Sequence, residues 1–269
     1  MNTSIKSISL VLCSCDSYED TWAPFCTQLV KHWPGFNMPI YLCTESKTFS
    51  YPGLDIRCPL ANGKVYKQWS KRLIKLLEKI DSEFVLFMLD DFWITESVDI
   101  QSFDRILNWM NEDKRMGFVC LRYEKRDKNT IPETIRRKNC QYPLLIQCLP
   151  KEPFRITTQV GLWRKKYLLK LLRSHESAWY FETRATFRSR FYYERIYDVK
   201  RTVVNYPVGG FLGGGKCYKD YADLYPLEII APSVTKRGYI NFGESRSYPG
   251  IKKGLSYYRS IALSLMPKW

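Results

Sequence analysis

The chain has 269 residues, 45% hydrophobic and 15% aromatic, enough for one large α/β domain or two small ones. That composition excludes disordered, collagenous and low-complexity classes. The formal charge of +15 is uneven: residues 1–113 hold 11 basic and 15 acidic side chains, residues 114–269 hold 31 and 12. The basic part predicts an anionic partner, whether nucleic acid, membrane surface or phosphorylated substrate, against the plainer reading of a solvated surface.

Nine cysteines without a CxxC pair argue against a zinc site or a disulfide framework and for a reducing cytoplasm. Ile8–Cys13 is too short an apolar run for a signal-peptide core, and no stretch approaches the roughly 18 apolar residues of a membrane span. His32 and His175, the two histidines, read as surface or helix-end residues rather than ligands.

In chain order, residues 7–13 predict a buried strand, and a helix follows from about Thr21 to His32, ended by Pro34. Residues 39–43 predict a second strand, then a loop to about 64. Between Tyr66 and Ile80 the apolar residues keep helical spacing and lysines fill the other face. The unbroken run Phe84–Leu89 suits a central strand buried on both faces, and Asp90 and Asp91 follow it directly. A helix at 100–112 and a strand at 116–121 complete a β-α-β-α-β-α-β alternation, which predicts a mostly parallel sheet flanked by helices. Beyond 121 the pattern loosens. A charged connection spans 122–142, strands are expected at 143–149 and near 155–163, and helices at 165–173 and 179–192. An extended segment at 196–206 leads to the glycine-rich loop Gly209–Lys216.

Asp90 and Asp91 are the sharpest signal. Acids at the carboxyl end of a buried strand sit where open α/β sheets bind ligands. Adjacent carboxylates repel unless a cation neutralises them, and a divalent metal bridging to a diphosphate would do so. The plainer reading is a solvated loop pair. The glycine loop lacks the spacing of an ATP-binding P-loop.

The runs SLVLCSCDSYEDTW and QWSKRLIKLLEKIDSEFVLFMLDDFWI, with PIYLCTES between them, resemble the nucleotide-sugar part of bacterial GT-A-fold glycosyltransferases of surface-polysaccharide (capsule and lipopolysaccharide) biosynthesis. FRITTQVGLWRKKYLLKLL and the segment around Trp179 resemble the acceptor region of that group. A strict Asp-x-Asp is absent, since Leu89 precedes Asp90 and Asp91.

The resemblance covers roughly 7–215 and implies one glycosyltransferase domain, read over 1–269 as a nucleotide-sugar part (1–121), an acceptor part (122–250) and a basic amphipathic tail (251–269), the tail from its own residues: Ile251, Leu255, Tyr258, Ile261, Ala262 and Leu265 keep roughly helical spacing over 251–266, with Lys252, Lys253 and Arg259 off that stripe. It implies sugar transfer from a nucleotide-diphosphate sugar, a UDP-sugar first, to a glycan or lipid-pyrophosphate-linked acceptor, with inversion. Asp16 would hold base or ribose, with a helix cap or turn as the alternative role. Arg72, read on the polar face of its helix, would reach the donor. Asp90 would meet the ribose or fix the turn, and Asp91 would hold Mn or Mg. Lys216 would meet the diphosphate. Glu182 would deprotonate the acceptor, or else cap a helix, with Glu176 the second choice of base. Gln159 and Trp163 would line the acceptor sugar, Trp163 being equally readable as core. The site would lie in the cytoplasm on the inner face of the membrane, held by the tail. The competing class is a nucleic-acid-binding protein or nuclease using the basic half, although no zinc finger, RRM or helix-turn-helix pattern is present.

Overall fold

The computed structural model describes residues 7–123 and 138–244. The expected tail helix at 251–266 lies outside the described residues, as does most of the 122–142 connection.

Strands β1 (Ile8–Cys13), β2 (Ile40–Cys43), β3 (Ile56–Arg57), β4 (Phe84–Leu89), β5 (Met116–Cys120), β6 (Lys138–Asn139), β7 (Leu145–Cys148), β8 (Gly161–Arg164) and β9 (Arg195–Val199) form one nine-stranded sheet, in the order β3-β2-β1-β4-β8-β5-β9-β7-β6. All but β7 and β8 run one way. Strands from 1–121 and from 122–250 therefore share one sheet.

The two-residue period of the strands sorts their side chains onto two faces. Leu10, Leu12, Leu86 and Met88 meet helices α1 (Trp22–His32) and α3 (Ile100–Glu112) through Phe25, Leu29, Phe103 and Ile106. Val11, Val85 and Phe87 meet α2 (Trp69–Leu77), α4 (Lys165–Leu171) and α5 (Ala178–Arg188) through Leu73, Leu76, Leu168 and Phe181. Helices on both faces explain why β1 and β4 read as continuous apolar runs.

Several expectations shift. The helix expected from Tyr66 starts at Trp69, because the Arg72 guanidinium takes the Tyr66 and Lys67 carbonyls and Ser70 N–H donates to Glu176 O instead of to residue 66. Of the strand expected near 155–163 only the end from Gly161 joins the ladder, which runs on to Arg164. Upstream, Ile156 N–H and Thr158 N–H donate to Thr186 and Glu182 of α5. The 196–206 segment keeps strand geometry only through Val199. The glycine loop ends in a hairpin of β10 (Leu212–Gly213) and β11 (Lys216–Tyr218), and β11 also pairs with β12 (Tyr239–Ile240). Gly214 and Gly215, at φ +58° and +83°, make its two-residue turn, a conformation that favours glycine. Helix α6 (Leu227–Arg237) then packs back against the segment after β1.

Candidate active site

From β1 the chain runs outward to β2 and β3 on one side, while β4 lies on the other. The order reverses between β1 and β4, and in open α/β sheets the crevice beyond the carboxyl ends of such strands is where ligands bind. Here those ends deliver Ser14 and Asp90–Asp91.

Ser14 Oγ donates to Asp90 Oδ2 and accepts from Trp22 Nε1 at 2.7 Å. Trp93 Nε1 donates to the Asp90 carbonyl at 2.9 Å. Burial pushes the Asp90 carboxyl up to about 7, against the pull of hydrogen bonds from Ser14 and Thr21. Asp91 is pushed well above the usual carboxylate range, first by burial and then by the charge of Asp90. Its side chain accepts one backbone N–H, from Leu212 at 3.3 Å, while Phe211 N–H donates to its carbonyl. Both acids are buried, so the solvated-loop reading is set aside. The glycine loop lies directly on Asp91: a Cβ at Gly210 would stand 2.2 Å from Oδ2.

Beside the crevice lies a cavity of about 490 Å³ lined by Cys15, Asp16, Ser17, Glu45, Ser46, Val65 and Lys67. Asp16 accepts the backbone N–H groups of Glu45, Ser46 and Lys47 and the Ser46 hydroxyl. Burial would raise its pKa, but these bonds outweigh burial and leave it lowered. Asp16 thus fastens the loop after β2 to the loop after β1. Arg72 does similar work from below. It is buried rather than on the polar face of α2, and it donates to Glu45 Oε1 (2.6 Å), Tyr66 O (2.8 Å) and Ser14 O (2.9 Å). With those three partners it shapes the cavity wall, and sequence periodicity alone does not show the inward bend.

The opposite side of the crevice is carried by β8. Its register pairs Phe87 with Gly161, where the ladder with β4 ends, and the residues just before Gly161 turn toward α5. Glu182 lies in the second turn of α5, whose N-cap is Ser177, and is not a cap itself. Its Oε1 accepts from Thr158 N–H (2.6 Å), Thr158 Oγ1 (2.7 Å) and Thr157 Oγ1 (3.0 Å). No hydrogen bond reaches Oε2 from the described residues. Gln159 Oε1 accepts from Tyr206 at 2.5 Å, and Tyr206 stacks on Phe92 with centroids 4.4 Å apart, tying the Glu182 loop to the acidic turn.

Three expectations are corrected. Trp163 is 1% exposed and stacked on Phe118 at 3.9 Å, so it is core and offers no face to a sugar. Glu176 is fully buried and gripped by both terminal nitrogens of Arg188, at 2.7 and 2.6 Å, which removes it as a substitute base. Lys216 stands exposed in the hairpin strand β11 rather than in a flexible loop.

Sequence reading missed Asp20, Lys236 and Arg237. The Arg237 side chain donates from Nε and Nη2 to the two Asp20 oxygens, each at 2.7 Å, and to Ser17 O at 2.9 Å, and lies over the Tyr18 ring. Its charge also lowers the pKa of Asp90 and Asp91. These partners lie more than 210 positions apart in the chain, and no local pattern announces them.

Two hard carboxylates, both short of neutralising charge, fit a divalent cation. A second group, Cys148, Glu152 and Asp198, is buried with ligand atoms within 4.8 Å of one another. It sits at the end of β7, in the turn after it and on β9, and β9 is three strands from β4, about 14 Å at ordinary strand spacing, so it cannot share an ion with Asp91.

No family model matches the chain, and no curated protein matches it. Solved structures align at low similarity. A fragment of S. aureus TarS (residues 1–349) has TM-score 0.48 and 11% identity over 96% of this chain and 78% of its own. The same fragment in complex with UDP-GlcNAc gives 0.48 and 12% over 96% and 79%. A CMP:2-keto-3-deoxy-manno-octonic acid synthetase complexed with CTP gives 0.40 and 8% over 74% and 91%. Scores below 0.5 carry no argument about activity.

Proposed function

We propose that the chain is a glycosyltransferase that takes a sugar from a nucleotide-diphosphate donor, with inversion. The observation that carries the reading is the buried pair Asp90–Asp91 at the β1/β4 switch point. Burying two adjacent carboxylates is costly unless a positively charged ligand complex completes the site. The cavity formed by the loops after β1 and β2 would take the nucleoside, with Asp16 and Arg72 holding its walls. Asp90, tied to Ser14, would face the ribose or fix the turn. Asp91 would hold Mn or Mg, which when bound neutralises charge on the leaving diphosphate. Lys216 and the backbone of the glycine loop would add positive potential at the same phosphates.

Glu182 is the proposed base. Three hydrogen bonds fix one oxygen and orient the carboxylate, leaving Oε2 for an acceptor hydroxyl. The hydroxyl gives its proton to Glu182, its oxygen bonds to the anomeric carbon, and the bond to the diphosphate breaks on the far side. Configuration therefore inverts. Gln159, fixed by Tyr206, would contact the acceptor, a glycan or a lipid-pyrophosphate-linked sugar. The proposed location is the cytoplasmic face of the membrane; no helix among the described residues is long and apolar enough to cross it.

Calorimetry with a panel of nucleotide sugars, UDP-GlcNAc among them, tests the reading with and without Mn. Donor binding that Asp91→Asn abolishes supports it. Binding of single-stranded DNA without any nucleotide-sugar binding replaces it with the nucleic-acid reading.

A further inference from the structure

Large aromatic side chains are normally covered, and an exposed cluster marks a contact surface. In this protein such side chains gather around α5. Trp179 is 67% exposed and Tyr180 54%, in the first turn of the helix. Phe191 and Tyr193, just beyond its end, are 67% and 70% exposed.

The helical period explains the arrangement. Phe181, Ala185 and Arg188 face the core. Tyr180 and Phe187 are seven residues apart and share an outward stripe, with Trp179 and Thr183 beside it. Phe187 contacts Phe191 at the helix end, centroids 5.4 Å apart. α5 therefore shows apolar rings to both the core and the solvent.

Cations accompany these rings. The Arg184 guanidinium lies 4.4 Å from the Tyr180 ring centre, that of Arg190 5.4 Å from Phe187, and Lys170 Nζ 5.0 Å from Tyr193. Residues 165–195 carry eight Lys and Arg but three Glu. Two of those acids are buried in ion pairs, Glu176 with Arg188 and Glu194 with Lys170, and Glu182 is turned to the 157–158 loop. The rings of Trp, Tyr and Phe thus stand beside basic side chains, the exposed Arg190 among them, and among the described residues of 165–195 no acid is exposed. Interfacial aromatic rings settle at the headgroup level of a bilayer, and basic side chains beside them are drawn to anionic lipid.

We propose that the outer face of α5, with Trp179, Tyr180, Phe191 and Tyr193, docks on an anionic lipid surface. Docking by this face does not depend on the glycosyltransferase reading. If that reading holds, docking would bring Glu182, on the same helix, close to a lipid-linked acceptor.

The test is sedimentation of the full chain with vesicles of phosphatidylcholine alone and with 30 mol% phosphatidylglycerol (about a third anionic, to give a substantial surface potential). The expected result is binding to the anionic vesicles that weakens in high salt. The variant W179S/Y180S/F191S/Y193S changes solvent-facing side chains, and its circular dichroism and melting curve should match the parent. Its partition onto anionic vesicles should fall on the order of 100-fold. Arg190→Gln should reduce binding about fivefold, with less salt dependence. Undiminished vesicle binding by the four-residue variant would overturn the proposal and leave the tail as the anchor. So would absence of binding by the parent, or parent binding of single-stranded DNA in place of vesicles.

Discussion

The packing of the glycine loop on the acidic turn can be tested with two alanines. Gly209 and Gly210 both have left-handed backbone, φ +79° and +87°, so either substitution forces an L side chain into a region costing about 1–2 kcal/mol. They differ in surroundings. A Cβ at Gly209 meets nothing within 4 Å, whereas one at Gly210 stands 2.2 Å from Asp91 Oδ2 and 2.6 Å from its carboxyl carbon. That overlap must be relieved by moving a buried carboxylate or the loop, adding about 1–3 kcal/mol. Urea unfolding at pH 7 should therefore show Gly210→Ala less stable than Gly209→Ala by that increment. Donor turnover should drop with Gly210→Ala and hold within a few-fold with Gly209→Ala. The double variant Gly210→Ala/Asp91→Ala should recover part of the lost stability, because the clashing group is gone. Equal stability of the two glycine variants would refute the close approach.

Asp90 offers a pH test. Its folded pKa, about 7, exceeds the ordinary 3.8, so its protonation stabilises the fold below about pH 4, and that contribution is lost as pH rises to 7. Asp90→Asn should remove this slope and raise the melting temperature at pH 8, with a ceiling of about 4 kcal/mol, while impairing turnover. An unchanged melting profile from pH 4 to 8 would contradict the burial argument. Asp20 works in the opposite sense: burial alone would raise its pKa, but Arg237 and Lys236 bring it down to about 2. Its stabilising contribution is present above about pH 4 and fades toward pH 2, and Arg237→Gln should flatten that part of an acid-denaturation curve. Glu182→Gln should lower transfer by roughly 10²- to 10⁴-fold with donor affinity unchanged by calorimetry. Retained transfer would place the base elsewhere.

The fold was legible where one physical signal dominated. Phe84–Leu89 is apolar at every position because helices cover both faces of β4, and the helical spacing of Leu73, Leu76 and Leu77 reported the buried face of α2. Legibility failed where long-range contacts override local pattern. Arg72 reads as a solvated helix residue, yet Glu45 and the Ser14 carbonyl draw it inward. The stretch before Gly161 reads as strand, but its donors are taken by Glu182 and Thr186 of α5. Asp90 and Asp91 were visible because two acids follow an unbroken apolar run directly. Arg237 was not, since its approach to Asp20 depends on how α6 folds back.

The crevice at Asp90–Asp91 is proposed to bind and activate a nucleotide-diphosphate sugar. Release of nucleoside diphosphate from a panel of nucleotide sugars, with and without Mn, is the direct assay of that role. At least one donor should turn over, and Asp91→Asn should reduce that turnover on the order of 100-fold or more, in keeping with loss of one charge at a buried phosphate site. Turnover that Asp91→Asn leaves intact at saturating metal would contradict it.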